Sequence, residues 1–233
     1  MLAGKDYICR EKSKSNPVPV VKSTMLHSRA AVSQLRLARW LSSVFRPEFF
    51  PVVGFVALFA FTYLSLLPWQ FKVFVLSLVA LGTIVLPRLT VRFWRRANRM
   101  ERHLLRLRQN RFFPYLVYIL YYAFTLHLLT RLHLPHYMRG IIVGSLLIQA
   151  TCAFINLWWK ISLHAAGAGG VVGALMAYSL IFGFNPLWWL SLCILIAGLV
   201  GTSRMLLRQH SLMQVVAGSV AGAVLGFAGI MLS

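Results

Sequence analysis

Lys160-Ile161-Ser162-Leu163-His164-Ala165-Ala166-Gly167-Ala168-Gly169-Gly170-Val171-Val172-Gly173-Ala174-Leu175-Met176-Ala177-Tyr178-Ser179-Leu180-Ile181-Phe182-Gly183-Phe184 sets the architecture. From Ala165 to Phe184 it has no charged side chain. About 20 consecutive apolar residues is the length an α-helix needs to cross the hydrocarbon core of a bilayer. Runs of similar length, bounded by charge, Pro or Asn, recur six more times: Phe49 to Leu67, Phe71 to Pro87, Phe112 to Thr130, Gly140 to Trp159, Leu187 to Thr202 and Leu212 to Leu232. Leu187 to Thr202 is short and holds Gly198 and Gly201, and Met205 to Leu207 would lengthen it. The alternating strands of a barrel are missing. The expected fold is therefore all-α, a polytopic membrane helix bundle of six to seven transmembrane helices with basic interfacial helices.

Composition agrees. Of 233 residues, 59% are apolar, 24 are Lys or Arg and only 4 are Asp or Glu, which is not the balance of a soluble globule. The acids are Asp6, Glu11, Glu48 and Glu101, so the chain from Arg102 to Ser233 has no carboxylate side chain. Paired-carboxylate glycosidase chemistry and carboxylate-held magnesium or calcium have no ligands in that apolar body. Cys9, Cys152 and Cys193 are far apart and without metal-site spacing, so neither a zinc site nor a disulfide framework is expected. Any catalysis there must use His, Arg, Lys and hydroxyls, and no cofactor is expected.

Residues 1–24 are polar, contain Pro17 and Pro19, and read as a flexible tail without a signal-peptide core. Residues 25–47 place Leu37, Trp40, Leu41, Val44 and Phe45 at helical spacing among arginines, the pattern of a basic amphipathic interfacial helix. Residues 48–233 form the transmembrane domain, interrupted by a basic segment at 88–111 with nine arginines. Of the 24 Lys and Arg, only Lys72, Arg131 and Arg139 fall on the face opposite the N-terminus. That asymmetry predicts a cytoplasmic N-terminus, with the 88–111, 160 and 203–211 segments on the same side. The net charge of +20 raises nucleic-acid binding as an alternative. Anionic lipid headgroups account for the same residues without a further partner, and no nucleic acid is expected.

Two polar clusters carry the chemistry. Lys160, Ser162 and His164 stand just before the small-residue run 165–170, at the start of a span. Free N–H groups and the helix dipole there favour an anion such as phosphate, while the glycines equally suit close helix packing. The second cluster is Ser203-Arg204-Met205-Leu206-Leu207-Arg208-Gln209-His210-Ser211-Leu212-Met213-Gln214. If helical from His210 onward, it sets Gln214 on the same face, where its carbonyl would accept from one imidazole nitrogen and leave the other free. Two spans separate Arg111 from Lys160 and two more separate His164 from Ser203, so all three polar groups emerge on one face of the membrane. Gly218, Gly222 and Gly226, at four-residue spacing, suit tight helix packing.

On these residues the chain resembles the type 2 phosphatidic acid phosphatase superfamily of integral membrane lipid phosphatases, in a divergent bacterial branch. The family carries Lys-x6-Arg-Pro, Pro-Ser-Gly-His and Ser-Arg-x5-His-x3-Asp, in that order. Ser203, Arg204 and His210 match the third motif at the right spacing, with Gln214 where the family has Asp. Ser162 and His164 keep half of the second, with Ile161 and Leu163 in place of Pro and Gly. The first is the poorest match. Arg111 is followed by Phe112 and Phe113 before Pro114, and Leu104 stands where the lysine should be, leaving Arg108 or Lys160 to supply that cation.

The resemblance implies a metal-independent hydrolase of a membrane lipid phosphomonoester or pyrophosphate, in a bacterial inner membrane. His210 would attack phosphorus to give a phosphohistidine, and His164 would protonate the leaving oxygen and then activate water. Arg204, Arg111, Lys160, Arg108, Ser162 and Ser203 would hold the phosphate. Gln214 orients His210 but cannot stabilise its cation as Asp would, which leaves open a degenerate relative that binds lipid headgroups or a partner protein without turnover.

Overall fold

The computed structural model describes residues 21–98 and 112–233. The described residues fall into two units, one ending at Gln34 and the other Leu35–Ser233. Among the described residues all regular structure is helical: α1 (Val21–Val44), α2 (Phe50–Phe61), α3 (Trp69–Ala80), α4 (Leu86–Ala97), α5 (Phe112–Arg131), α6 (His136–Ile155), α7 (Leu163–Phe182), α8 (Leu187–Leu206) and α9 (Leu212–Met231), with short tighter or wider turns between some of them. Seven helical stretches among them are long and apolar enough to cross a membrane. The expected all-α membrane bundle is the observed fold. Its sixth span is a full helix, Leu187–Leu206. Of the expected tail 1–24, residues 1–20 lie outside the described residues, and the helix expected from residue 25 begins at Val21.

Pro87 was the expected end of the second span, yet the helix continues through it. Proline's ring clashes with the carbonyl four residues back and removes one hydrogen bond. Here the turn before it, Leu81–Val85, widens to π geometry, which re-routes the bonds that Pro87 would break. Thr83, fully buried in that turn, donates its hydroxyl to the Val79 carbonyl at 2.8 Å. The first part of the basic segment is helical: α4 runs to Ala97, and residues 99–111 lie outside the described residues. At its start Arg88 pairs with Glu48, the one Asp or Glu among the described residues, and stacks over Phe49 with its guanidinium carbon 4.8 Å from the ring centre. That ion pair ties α4 to the turn preceding α2.

Within Leu35–Ser233 the closest association is between α7 and α9, with α6 packed on α9 and against α5 and α7. The two helices run parallel, because α8 returns the chain between them. Their contact repeats every four residues: Gly218 lies on the Ser162 carbonyl, Gly222 on Ala166 and Gly226 on Gly170. A Cβ on Gly222 would fall 1.9 Å from the Ala166 carbonyl oxygen. Small residues at this spacing allow backbones to touch, where packing rather than water exclusion drives association. A second apolar core gathers Phe55, Val75, Val79, Tyr122, Leu129, Met138 and Ile142, all nearly fully buried, from α2, α3, α5 and α6.

Candidate active site

The ends of α7, α8 and α9 are shaped by local sequence. Ser162 caps α7, its hydroxyl accepting from the Ala165 N–H at 3.4 Å, as short polar residues do at helix starts. Helix α8 stops in a Schellman turn. The Gln209 N–H donates to the Arg204 carbonyl at 3.1 Å and the Arg208 N–H to Met205 at 2.8 Å, with Arg208 left-handed at φ 50°. This turn reverses the chain so that Arg204, in the last turn of α8, and His210, just before α9, share one end of the bundle. Ser211 then caps α9 in a capping box with Gln214, four residues after His210.

His210 therefore precedes the helix rather than sitting within it. The expected contact still forms, through the cap: His210 Nδ1 lies 3.1 Å from Gln214 Oε1. The same oxygen accepts the Ser211 backbone N–H at 3.3 Å. A backbone N–H only donates, so the atom facing it must be the amide oxygen. Nδ1 of His210 consequently carries the proton in its neutral form, and Nε2 is left with a lone pair.

His164 occupies the first turn of α7. The Ser162 N–H donates to the Gln214 carbonyl at 3.4 Å, which locks the start of α7 to the start of α9. His164 is in electrostatic reach of Arg204, His210 and Arg46, and hydrogen-bonds the backbone of Ser42. Arg204 in turn donates to the Ser42 hydroxyl. Two imidazoles and two guanidiniums so lie within electrostatic reach of His164's position, beside two parallel helix N-termini, whose dipoles add positive potential. The charged neighbours described around His164 are cationic, and such a cluster favours an anion with several oxygens.

Each residue expected at the site has a definite place. His164, His210, Gln214 and Arg204 come together. Lys160 stands in the connection just before Ser162 on the same face. Ser162 and Ser203 lie there too but are buried, with their hydroxyls engaged within the protein: Ser162 as the cap, Ser203 donating to the Val200 carbonyl at 2.7 Å. Arg108 and Arg111 lie outside the described residues. Sequence reasoning missed Ser42 and Arg46, which the end of α1 and the following turn bring to His164 and Arg204. Arg46 was visible only as one arginine of a basic helix, and no spacing rule links Ser42 to residues more than a hundred positions away.

The residues that converge from α7, α8 and α9 lie in the part of the chain that matches a known family. Residues 152–232 match the PAP2 superfamily. The match covers about a third of the chain and includes Ser162, His164, Ser203, Arg204, His210 and Gln214, while the Arg108 and Arg111 region falls before it. No curated protein and no solved structure matches the chain. The PAP2 match and the seven apolar helices together fit an integral membrane protein, and the match supports a phosphatase of the lipid-phosphatase type.

Proposed function

We propose that the protein hydrolyses the phosphomonoester or pyrophosphate end of a membrane lipid through a phosphohistidine on His210. The observation that carries this is the convergence of His210, His164 and Arg204, with Arg46, at one end of the bundle. In the proposed first step the lone pair of His210 Nε2 attacks phosphorus while the P–O bond to the lipid breaks, and His164 gives its proton to the departing oxygen. In the second, His164 takes a proton from water, which attacks phosphorus and releases phosphate from His210. Arg204 and Arg46, with Lys160 and the expected Arg108 and Arg111, offset the charge of the transferring group. Ser162 and Ser203 hold the backbone that presents these groups. No step calls for a metal ion.

The asymmetry of basic residues supports a site at the cytoplasmic face, and the family resemblance supports a bacterial inner membrane with anionic headgroups around the basic segments. The test is phosphate release by purified protein in detergent from phosphatidic acid, phosphatidylglycerol phosphate or undecaprenyl pyrophosphate. His210→Ala should lower it by more than about 10³-fold. Equal release by wild type and variant would refute the nucleophile.

One observation favours a second reading, a relative that binds lipid headgroups without turnover. Gln214 supplies His210 with a neutral acceptor, so the imidazolium that forms as the nucleophile reacts gains no ion pair. Gln214→Asp separates the two: a rate gain of about tenfold or more marks a slow enzyme. No turnover in either form, with lipid binding intact, marks a binding protein.

A further inference from the structure

A cavity of about 750 Å³ opens beside the candidate site, within the range of pockets that enclose small organic ligands. At one end its wall includes Pro47 and Leu163, the chain neighbours of Arg46 and His164. At the other it reaches Phe182 and Trp189, near the far ends of α7 and α8. Its lining is overwhelmingly apolar, with two large polar side chains at middle depth, Tyr122 of α5 and Gln149 of α6. Both are more than nine-tenths buried, at 1% and 4% exposure. The Gln149 amide is a hydrogen-bonding neighbour of the Tyr122 hydroxyl, but not at normal geometry, and Gln149 Oε1 has no donor.

Buried polar atoms without partners are costly and uncommon in folded proteins. The other hydroxyls of the wall are satisfied within the protein: Thr62 donates to the Leu58 carbonyl, Ser145 to Ile141 and Tyr178 to Tyr137, and Tyr63 pairs with the Tyr137 hydroxyl. Depth indicates what the Tyr122 and Gln149 pair faces. Ile148, beside Gln149, packs its Cδ1 on Gly170, six residues beyond His164 on α7. At about 1.5 Å per residue that is about 9 Å below the histidine. A lipid held by its phosphate at His210 would bring to this level the region joining headgroup to hydrocarbon chains.

We infer that the cavity receives the hydrocarbon chain of the lipid phosphate, and that Gln149 and Tyr122 select lipids with a hydroxyl or amide N–H donor in that linkage region. The inference rests on the reading of the adjoining site as a lipid phosphatase. The chemistry of the pair sets the preference. Gln149 Oε1 only accepts, so an N–H or O–H on the ligand satisfies it. A fully esterified diacyl chain or a polyprenyl chain has no such donor and strips the amide of water without replacing the bond. A site built to bond a donor rejects the analogue lacking it more strongly than an apolar pocket rejects an extra group.

The experiment compares two lipid phosphomonoesters of equal chain length on the purified full chain: a phosphorylated N-acyl amino alcohol, with an amide N–H and a free hydroxyl, and a diacylglycerol phosphate with neither. The expected kcat/KM favours the first by about tenfold. Gln149→Leu should reverse the order, lowering the first about tenfold and raising the second about threefold, chiefly through KM. Tyr122→Phe should move both in the same directions by less. Equal wild-type rates on the two lipids, or a parallel loss on both in Gln149→Leu at unchanged thermal stability, would overturn the inference. If wild type hydrolyses neither, the phosphatase reading fails by itself, and native mass spectrometry of the same lipids on the same proteins decides the selectivity. Preferential retention of the donor-bearing lipid by wild type, lost in Gln149→Leu, upholds it, and equal retention overturns it.

Discussion

Two sides of α7 are built on opposite principles. Toward α9, Gly169, Gly218, Gly222 and Gly226 remove side chains so that carbonyls of one helix lie on the backbone of the next. Toward α2 and α8, larger residues stand apart around a cavity, and half of the most apolar stretch of α7 is buried against 17% of that of α8. The contrast assigns each side a task. Two histidines that must meet within an ångström or so need a contact with no adjustable side chains, and backbone-on-backbone packing provides it. A hydrocarbon chain needs room and apolar lining, which the looser side offers.

Breaking the tight side should have the largest consequence. Gly222→Leu places a branched side chain where even a Cβ lies 1.9 Å from a carbonyl oxygen, and that oxygen belongs to a helix that cannot yield locally. A loss of about 3 kcal/mol is expected, seen as a lowered unfolding temperature in detergent and as lost phosphate release, since separating α7 from α9 parts His164 from His210. Normal stability with full activity would show that the tight packing does not set the site.

Narrowing the loose side should matter less, and selectively. Ala57 of α2 lines the cavity, and Ala57→Phe should slow turnover of a long-chain lipid about tenfold more than that of a short-chain analogue, measured as the ratio of their kcat/KM values. An equal effect on both chain lengths would detach the cavity from substrate binding. The smallest change is expected at the turn that joins the two sides. Arg208 holds a left-handed conformation, at φ 50°, that glycine adopts without penalty, so Arg208→Gly should raise stability by about 1 kcal/mol, read from thermal unfolding. A destabilised variant would mean that the arginine side chain contributes more than its backbone strain removes.

Much of this was legible in advance. The seven spans are visible because hydrocarbon demands unbroken apolar length, and the chain breaks those runs with Arg, Pro and Asn at the ends. The Ser203, Arg204 and His210 spacing and the His210 to Gln214 pairing are short-range, so local sequence reports them. The contact was expected from a helix beginning at His210, whereas Ser211 starts the helix and Gln214 reaches back from its capping box. Side-chain spacing is similar in both cases, which is why the pairing survives a misplaced helix start. The passage of a helix through Pro87 was not legible, because proline in sequence marks a break, while the π turn that re-routes the lost bonds leaves no signature in residue spacing.

What sequence alone determined, then, is the membrane-spanning helical architecture and the two local polar clusters, since both depend on composition and spacing within a few turns. Only the tertiary structure decided that Ser42 and Arg46 join His164 and Arg204, that Gln214 binds α7 to α9 through its carbonyl while its side chain fixes the His210 tautomer, and that Tyr122 and Gln149 face each other in an apolar cavity. These are contacts between helices whose registers are set by packing, and the distance along the chain between partners carries no trace of them.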